Sequence, residues 1–211
     1  MEIIYLNSVD STHTYLQNYI FNNGYKFPIA IFSSYQTDGI GSRDNSWLGK
    51  KGNFYLSFVI DKSLLPNDLE IQSASIYFSY ILKDILKDFG SKVFLKWPND
   101  FYIDDKKIGG TITTLKGELL YCGIGINISK ISEDFGYLDI SIDTKDVLDK
   151  YFMSLENYPL WKYIFSKYLV EFHLNKKYFA TVDGKKVSLK DAILNEDGSL
   201  QIDNKKVYSL R

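Results

Sequence analysis

The chain has 211 residues, of which 45% are hydrophobic and 16% aromatic, with four prolines. This length and composition suffice for one sizeable domain with a small appendage, and they exclude a disordered chain. Lys and Arg number 25 against 26 Asp and Glu, a net charge of −1, so nothing attracts the whole protein to nucleic acid or anionic lipid. Any anion binding must therefore be local.

The N-terminus and the single cysteine bear on the compartment. "MEIIYLNSVD" lacks the basic start and long apolar run of a signal peptide, and no segment reaches the ~18 apolar residues of a membrane span. Cys122 has no partner for an intramolecular disulfide and lies among apolar residues, where a buried structural thiol is expected. We therefore expect a protein of a reducing cytoplasm.

The first half of the chain alternates strands and helices. "EIIYLNSV" and "PIAIFSSYQT" are typical of strands, and the helix between them has a Ser/Thr start and stops at Gly24. A polar, Gly-rich loop, "DGIGSRDNSWLGKKG", leads to the strand "NFYLSFVI". The longest predicted helix, "NDLEIQSASIYFSYILKDILKDFG", has Asn67 or Asp68 as its cap and Gly90 as its terminator.

In the second half, "KVFLKW", "KKIGGTITTLKG" and "ELLYCGIGINI" predict three strands, with a turn in "PNDFYIDD" and a hairpin at Lys116 and Gly117. Residues 144–177 have a helical pattern, and short strands with tight turns follow from about Tyr178. This order lacks the regular βαβ alternation of a doubly wound sheet. We therefore expect an α+β protein, with a mixed or mainly antiparallel sheet, helices packed on one side, and a small C-terminal β unit.

Several segments place polar or small residues where a fold alone does not require them: "DSTHTYL" at 10–16, "YQTDGIGSRDNSW" at 35–47, "KWPNDFYIDDKKIGG" at 96–110 and "GIGIN" at 123–127. An exposed turn explains the third segment taken alone. Together they supply hydroxyls at a helix start, a Gly-rich loop able to approach phosphate, an arginine and paired lysines, and strand glycines where a ligand can touch backbone. They predict a site for a small organic ligand and a nucleotide.

These segments resemble the biotin protein ligases, enzymes that attach biotin to biotin-dependent carboxylases. "DSTHTYL" is similar to the family's "DSTN" and "QTDGIGSRDNSW" to its "Q..GRGR.GR.W" loop. "GNFYLS" is similar to "GN.Y.S", "KWPND" with "KKIGGTI" to "KWPND…K.AGIL", and "GIGIN" to the same motif. The matches occur in family order between residues 10 and 127.

The resemblance implies a class II aminoacyl-tRNA synthetase/biotin synthetase-like catalytic domain at 1–174 and a small SH3-like β domain at 175–211. It implies that biotin reacts with Mg-ATP to give biotinyl-5′-AMP, and that biotin then passes to a lysine of a biotin carboxyl carrier protein, as in acetyl-CoA carboxylase. Mg²⁺ would arrive on the ATP phosphates, with no certain protein ligand.

Partners are also implied by the resemblance. Many relatives carry a winged-helix DNA-binding domain before the "STN" part of this segment, whereas ten residues precede Ser11 here, so we expect no repressor function. We expect neither DNA nor membrane as a partner, and either a monomer or a homodimer.

The family's site residues transfer onto this sequence by motif. The implied catalytic residues are Lys107, Arg43 and Asp100. The positions that match biotin contacts are Ser11, Thr12, His13, Gln36, Gly39, Gly41, Ser42, Lys107, Gly110 and Gly125. The positions that match the ATP side are Arg43, Trp47, Lys96 and Asn127. In the reaction that the resemblance implies, a carboxylate attacks a polyanionic phosphate and needs a fixed cation between the two groups. Lys107, which matches the family lysine of the hairpin, is the candidate for that cation.

Two positions depart from the family pattern. Ile40 and Ser42 stand where the family loop has arginines, so Arg43 would take over the phosphate contact. His13 replaces the usual Asn, which leaves the contact of that side chain open. Two alternatives also stay open: a lipoate or octanoate ligase of the same superfamily, and a catalytically weak module that only binds carrier domains.

Overall fold

A seven-stranded mixed sheet forms the centre of the structure, a computed structural model that describes residues 1–41, 46–47, 49–182, 184–203 and 205–208. The strands up to residue 126 are β1 (Glu2–Leu6), β2 (Ile29–Ser33), β3 (Gly39–Ile40), β4 (Ser46–Trp47), β5 (Phe54–Asp61), β6 (Phe94–Lys96), β7 (Asp100–Ile103), β8 (Lys106–Lys116) and β9 (Leu119–Ile126). The helices are α1 (Thr12–Asn23), α2 (Ala74–Asp88), α3 (Thr144–Glu156) and α4 (Trp161–Glu171).

The strand order of the main sheet is β1-β2-β5-β9-β8-β7-β6. β1 and β2 are parallel, and every other neighbouring pair in this sheet is antiparallel. β3 and β4 form a separate two-stranded ribbon in the Gly-rich loop. The predicted α+β fold with a mixed sheet is confirmed.

Helix α1 departs from the expectation that the helices pack on one side. In β2, Ile29 and Ile31 pack with Leu16 of α1, whereas Ala30 and Phe32 join the core beneath α2, α3 and α4. Successive side chains of a strand point to opposite faces, so the apolar run from Ile29 to Phe32 presents two apolar faces. Both must be covered, and α1 covers the face that the other helices leave open.

The segment after Trp97 contains a strand where a turn was expected. β7 pairs with β6 and with β8, and it extends the sheet across most of "DFYI". Phe101 is fully buried in the main core, so Asp100 and Tyr102 project to the other face. The charge of this segment is compatible with a strand because it lies on the face that carries the site.

Asp68 has a different role from the predicted one. α2 starts at Ala74, after a 3₁₀ turn at Ile71–Ser73, and not at residue 67 or 68. The Asp68 carboxylate instead accepts hydrogen bonds from the backbone N–H groups of Trp161 and Lys162, both at 3.0 Å. Leu160, at the start of α4, provides no side-chain cap, so Asp68 satisfies these first N–H groups from outside the helix.

The substitution Asp68→Ala should lower the free energy of unfolding by about 1 kcal/mol, the usual cost of losing an N-terminal cap. Urea unfolding at neutral pH measures this difference. Glu70→Ala is the matched control, because Glu70 makes no side-chain capping hydrogen bond. Equal losses in the two variants would contradict the capping role.

Five short strands follow the helices: β10 (Phe179–Val182), β11 (Lys185–Ser188), β12 (Ile193–Leu194), β13 (Leu200–Ile202) and β14 (Lys205–Val207). They form two small antiparallel sheets. Trp97 Nε1 donates to the Gly198 carbonyl at 2.9 Å, and Leu200 is buried in the main core. The predicted domain division after residue 174 stays a prediction. None of the helices in the described part of the chain is long and apolar enough to cross a membrane.

Candidate active site

A cavity of about 340 Å³ lies on the face of the sheet that α1 covers. Its floor is built from alternate residues of adjacent strands: Gly110 and Ile112 of β8, Gly123 and Gly125 of β9, and Ser57 of β5. Further along the same face, larger side chains fill the space under α1. Near the start of α1 the glycines carry no side chain on this face, so the rings of His13 and Trp47 approach the backbone of Gly123 and Gly125.

The inner end of the cavity is formed by Thr12, His13, Gln36 and Ser57. Thr12 donates to Gln36 Oε1 twice, from its backbone N–H at 2.7 Å and from its hydroxyl at 2.9 Å. The hydroxyls of Thr12 and Ser57 lie 2.9 Å apart. Ser11 accepts a hydrogen bond from the Thr14 N–H at 3.4 Å as the cap of α1 and also lines the cavity.

The outer end of the cavity carries charge. Lys107 Nζ lies 2.5 Å from Asp100 Oδ1, and Lys96 Nζ lies 3.6 Å from Asp100 Oδ2. Burial lowers the pKa of Lys96, while the nearby Asp100 acts in the opposite direction. Lys107 Nζ is also 5.8 Å from the centre of the Trp47 ring. Two lysines against one carboxylate favour an anionic group at this end.

His13 is buried at the inner end, directly above Gly123. Its side chain is 7% exposed, and its Nδ1 atom has no hydrogen-bond partner among the described residues. A Cβ atom added to Gly123 would lie 3.2 Å from that Nδ1. Burial, with a smaller effect of Lys116, lowers the pKa of His13 to about 4. The imidazole is therefore neutral at physiological pH.

The stability of the protein should reflect this shift. The ordinary pKa of 6.5 applies to the unfolded chain, whereas the folded protein binds the proton only near pH 4. The unfolded state thus binds more protons between these values, and stability falls as the pH drops through this window. Between pH 7 and pH 4.5, the free energy of unfolding should fall about 2–3 kcal/mol further in wild type than in His13→Asn.

Urea unfolding at the two pH values tests this expectation. His173→Asn, which replaces an exposed histidine, is the control and should follow wild type. If His13→Asn loses as much stability as wild type between pH 7 and pH 4.5, His13 is not held neutral by the fold.

Most of the residues predicted for the site surround one cavity. It is lined by Ser11, Thr12, His13, Gln36, Gly41, Trp47, Asp100, Lys107, Gly110 and Gly125. Gly39 packs against the lining residue Gln36: a Cβ added to Gly39 would lie 2.8 Å from Gln36 Nε2. Lys96 reaches the site through Asp100. Ser42 and Arg43 lie outside the described residues.

Asn127 lies next to the cavity but does not line it. Its side chain is fully buried, with Nδ2 donating to the Gly136 carbonyl at 3.2 Å and Oδ1 without a partner among the described residues. Gly136 also donates its N–H to the Lys107 carbonyl at 2.9 Å. Gly136 is therefore hydrogen-bonded both to Asn127 and to the strand that carries Lys107.

Sequence reasoning did not select several lining residues, among them Ser57, Ile112 and Phe135. The sequence does set Ser57 apart, because it is the polar residue within the apolar run "FYLSFVI". Ile112 follows from the alternation of β8 once Gly110 is placed on the cavity face. Phe135 lies in a segment without a motif, and only the folded chain brings it to the cavity.

Comparison with known proteins places this site in a family. The model of the biotin/lipoate A/B protein ligase family matches residues 5–129, a range that holds the strands of the floor and the first turn of α1. The chain belongs to the biotin/lipoate A/B protein ligase family. Membership agrees with the resemblance of the segments between residues 10 and 127.

Members of this family with curated names are similar to part of the chain. The bifunctional ligase/repressor BirA of Escherichia coli K12 is 31% identical over 128 residues, which are 57% of this chain and 39% of that protein. The biotin–protein ligase of Schizosaccharomyces pombe is 27% identical over 192 residues, which are 80% of this chain and 29% of that protein. The chain spans less than half the length of these relatives.

Solved structures extend the similarity to nearly the whole chain. The biotin acetyl coenzyme A carboxylase synthetase of Helicobacter pylori, solved with bound biotinylated ATP, has a TM-score of 0.92 and 38% identity. The alignment covers 98% of this chain and 99% of that one. The C-terminal strands are thus part of the shared fold.

Proposed function

We propose that this protein activates biotin with ATP to form biotinyl-5′-AMP and then transfers biotin to a lysine of a biotin carboxyl carrier protein. The observation that carries the proposal is the polarity of the cavity. One end offers neutral hydrogen-bonding groups around Thr12, and the other offers the ammonium group of Lys107. The H. pylori relative, 38% identical, has bound biotinylated ATP, which supports the same use of the site here.

The cavity suits a bicyclic urea with an acidic tail. Its volume of about 340 Å³ is in the range of small-molecule sites. The ring would lie at the inner end, where Gln36 and Ser57 provide hydrogen-bonding groups. The tail would run along the floor of the cavity, and its carboxylate would reach Lys107.

Lys107 would act in the first half-reaction. A carboxylate oxygen of biotin forms a bond to the α-phosphorus of ATP, and the bond from that phosphorus to the bridging oxygen breaks, so pyrophosphate leaves. No proton is transferred in this step, and the main obstacle is repulsion between two anions. An ammonium group between them lowers that barrier. Lys107 is held on Asp100, which keeps it at the outer end before the substrates arrive.

Asp100 would act in the second half-reaction. The amine of the carrier lysine forms a bond to the acyl carbon of biotinyl-5′-AMP, and AMP leaves. An incoming lysine is protonated in water and must lose a proton before it attacks. Asp100, at the mouth of the cavity between two lysines, is placed to orient the ammonium group and accept its proton.

Mg²⁺ belongs to the proposal as a companion of ATP. The part of the chain that the structure describes contains no group of three His, Cys, Asp or Glu residues able to hold a metal. Mg²⁺ commonly binds through substrate phosphates, waters and one or two carboxylates, and Asp100 is the carboxylate among the lining residues. When bound, the ion would neutralise phosphate charge.

Other properties rest on the sequence alone. A reducing, cytoplasmic location is proposed from the single buried Cys122. The domain division after residue 174, and a monomeric or homodimeric state, are likewise proposals.

One assay tests the function and separates its alternatives. The protein is incubated with ATP, Mg²⁺ and a biotin carboxyl carrier domain, with either biotin or lipoate, and pyrophosphate release and acylation of the carrier are followed. Biotin-dependent release followed by biotinylation is the expected result. Reaction with lipoate alone would identify a lipoate ligase. Binding of the carrier domain without any pyrophosphate release would identify a carrier-binding module.

Lys107→Ala should lower the rate of biotin-dependent pyrophosphate release by at least ~10²-fold, the scale for loss of one preorganised electrostatic contact. Lys106→Ala is the matched control, because the Lys106 ammonium group binds the Glu133 carbonyl at the surface. The control should keep wild-type activity, and thermal unfolding should show both variants folded. A wild-type rate in Lys107→Ala would remove this residue from the mechanism.

Arg43→Ala should weaken binding of biotinyl-5′-AMP by ~1.5–3 kcal/mol if Arg43 replaces the family arginines, as for a hydrogen bond to a charged group. Ser42→Arg should tighten binding. The dissociation rate of biotinyl-5′-AMP from each variant measures the effect, with the exposed Lys51→Ala as control. A dissociation rate of Arg43→Ala equal to that of wild type would mean that Arg43 faces solvent, where charges contribute little.

A further inference from the structure

The hydrogen-bond directions at the inner end of the cavity follow from counting protons. The backbone N–H of Thr12 can only donate, and it lies 2.7 Å from Gln36 Oε1. The amide of Gln36 must therefore present its oxygen to Thr12, because the flipped amide would place two donors against each other. The Thr12 hydroxyl, 2.9 Å from the same oxygen, then donates its single proton to it.

The direction of the next hydrogen bond is fixed as well. Thr12 Oγ1 and Ser57 Oγ lie 2.9 Å apart. Because the proton of Thr12 is already donated to Gln36, Ser57 must be the donor in this pair. Ser57 thereby uses its only proton, and its oxygen keeps lone pairs that can accept a hydrogen bond.

Ser57 is positioned to use these lone pairs on a ligand. Its side chain is 1% exposed and lines the cavity. Across the strands it pairs with Gly123, which also lines the cavity. His13 packs directly on Gly123, with Nδ1 3.2 Å from the position of a Gly123 Cβ, and closes the cavity on that side. A ligand group in the cavity beside Ser57 would face an oxygen that can accept but not donate.

We propose that Ser57 is a specificity-determining residue, whose hydroxyl oxygen accepts a hydrogen bond from an N–H group in the ring of the bound substrate. This inference rests on the proposed function, because the cyclic urea of biotin supplies such N–H groups. The dithiolane ring of lipoate has none and would leave the buried oxygen of Ser57 unpaired. Sites built around a hydrogen bond strongly reject analogues that lack it.

Ser57 also orients Thr12, so the test must separate the two roles. A role limited to orienting Thr12 would change the affinity for every ring analogue by the same factor. The proposed role changes only the preference for ligands that carry the N–H group. The informative quantity is therefore the ratio of dissociation constants for two ligands, measured in each variant.

Calorimetric titration of the protein supplies these ratios. The ligands are biotin and the two cyclic carbamate analogues, in each of which one ureido N–H is replaced by oxygen. The variants are Ser57→Ala and Ser79→Ala. Ser79 is the matched control, since its buried hydroxyl also makes two hydrogen bonds, to the Ser75 carbonyl at 2.6 Å and to Thr111 Oγ1 at 2.7 Å. It belongs to α2, on the opposite side of the sheet.

Wild type and Ser79→Ala should both bind one of the two carbamates at least ~10-fold more weakly than biotin, and Ser57→Ala should reduce this ratio about fivefold or more. Ser57→Cys, which retains only a weak acceptor, should behave similarly and replaces Ser57→Ala if that variant does not fold. Ratios in the Ser57 variants equal to those of wild type would overturn the assignment of Ser57 alone. Failure of wild type to bind biotin would instead overturn the proposed function, and this assignment with it.

Discussion

The architecture of the site depends on one change of side-chain size along a single face of the sheet. Near Tyr121 and Val59, that face carries large side chains and α1 packs on them. Two and four residues later in β9, the same face carries Gly123 and Gly125. His13, in the first turn of α1, lies over Gly123, and α1 starts at this point, so its first residues become one wall of the cavity. The core beneath α1 and the binding site are therefore two stretches of the same sheet face.

The charged outer end follows from the same geometry at the opposite edge. β7 and β8 are neighbours in which Asp100 pairs with Gly110 and Tyr102 with Lys107, and they are joined by a tight connection at Asp104. The Lys107 side chain reaches along the sheet to the Asp100 carboxylate. The ion pair is partly exposed and contributes little to the free energy of unfolding. Its consequence for the proposed reaction is greater, because an anionic substrate and Asp100 compete for one ammonium group. Binding of that substrate would release Asp100 when an acceptor amine is next required.

The sequence predicted those features that are determined by residues close together in the chain. The hydroxyls of Ser11 and Thr12 and the ammonium group of Lys107 lie at the cavity, because each is fixed by its own strand or helix start. β7 was missed because its four residues, DFYI, lie between Pro98-Asn99 and Asp104-Asp105, residue types that are typical of turns. Asp68 was assigned to the nearer helix, although it caps one 93 residues away. No local pattern reports such a contact.

Two further features depended on knowing which side of the sheet each residue faces. A strand such as β2, apolar from Ile29 to Phe32, does not reveal where a helix will cover it, and the sequence therefore predicted α1 on the same side as the other helices. Ser57 was overlooked for the same reason, since a single hydroxyl in an apolar strand is equally compatible with either face. Once the pairing of Ser57 with Gly123 is known, its access to the cavity follows.

The two ends of the cavity also decide the direction in which an amphiphilic substrate enters. A carboxylate placed at the inner end would meet the lone pairs of Ser57, whose proton is committed to Thr12, and a neutral His13 whose pKa of about 4 keeps it from supplying a positive charge. The same carboxylate at the outer end meets Lys107. A ring with N–H donors has the opposite preference, because Ser57 accepts from it and the ammonium group of Lys107 does not. The accepting oxygen of Ser57 at the inner end and the charge of Lys107 at the outer end thus favour one orientation of the substrate. In this orientation the ring lies at the inner end, and the carboxylate lies at the outer end, where a nucleotide phosphate can reach it.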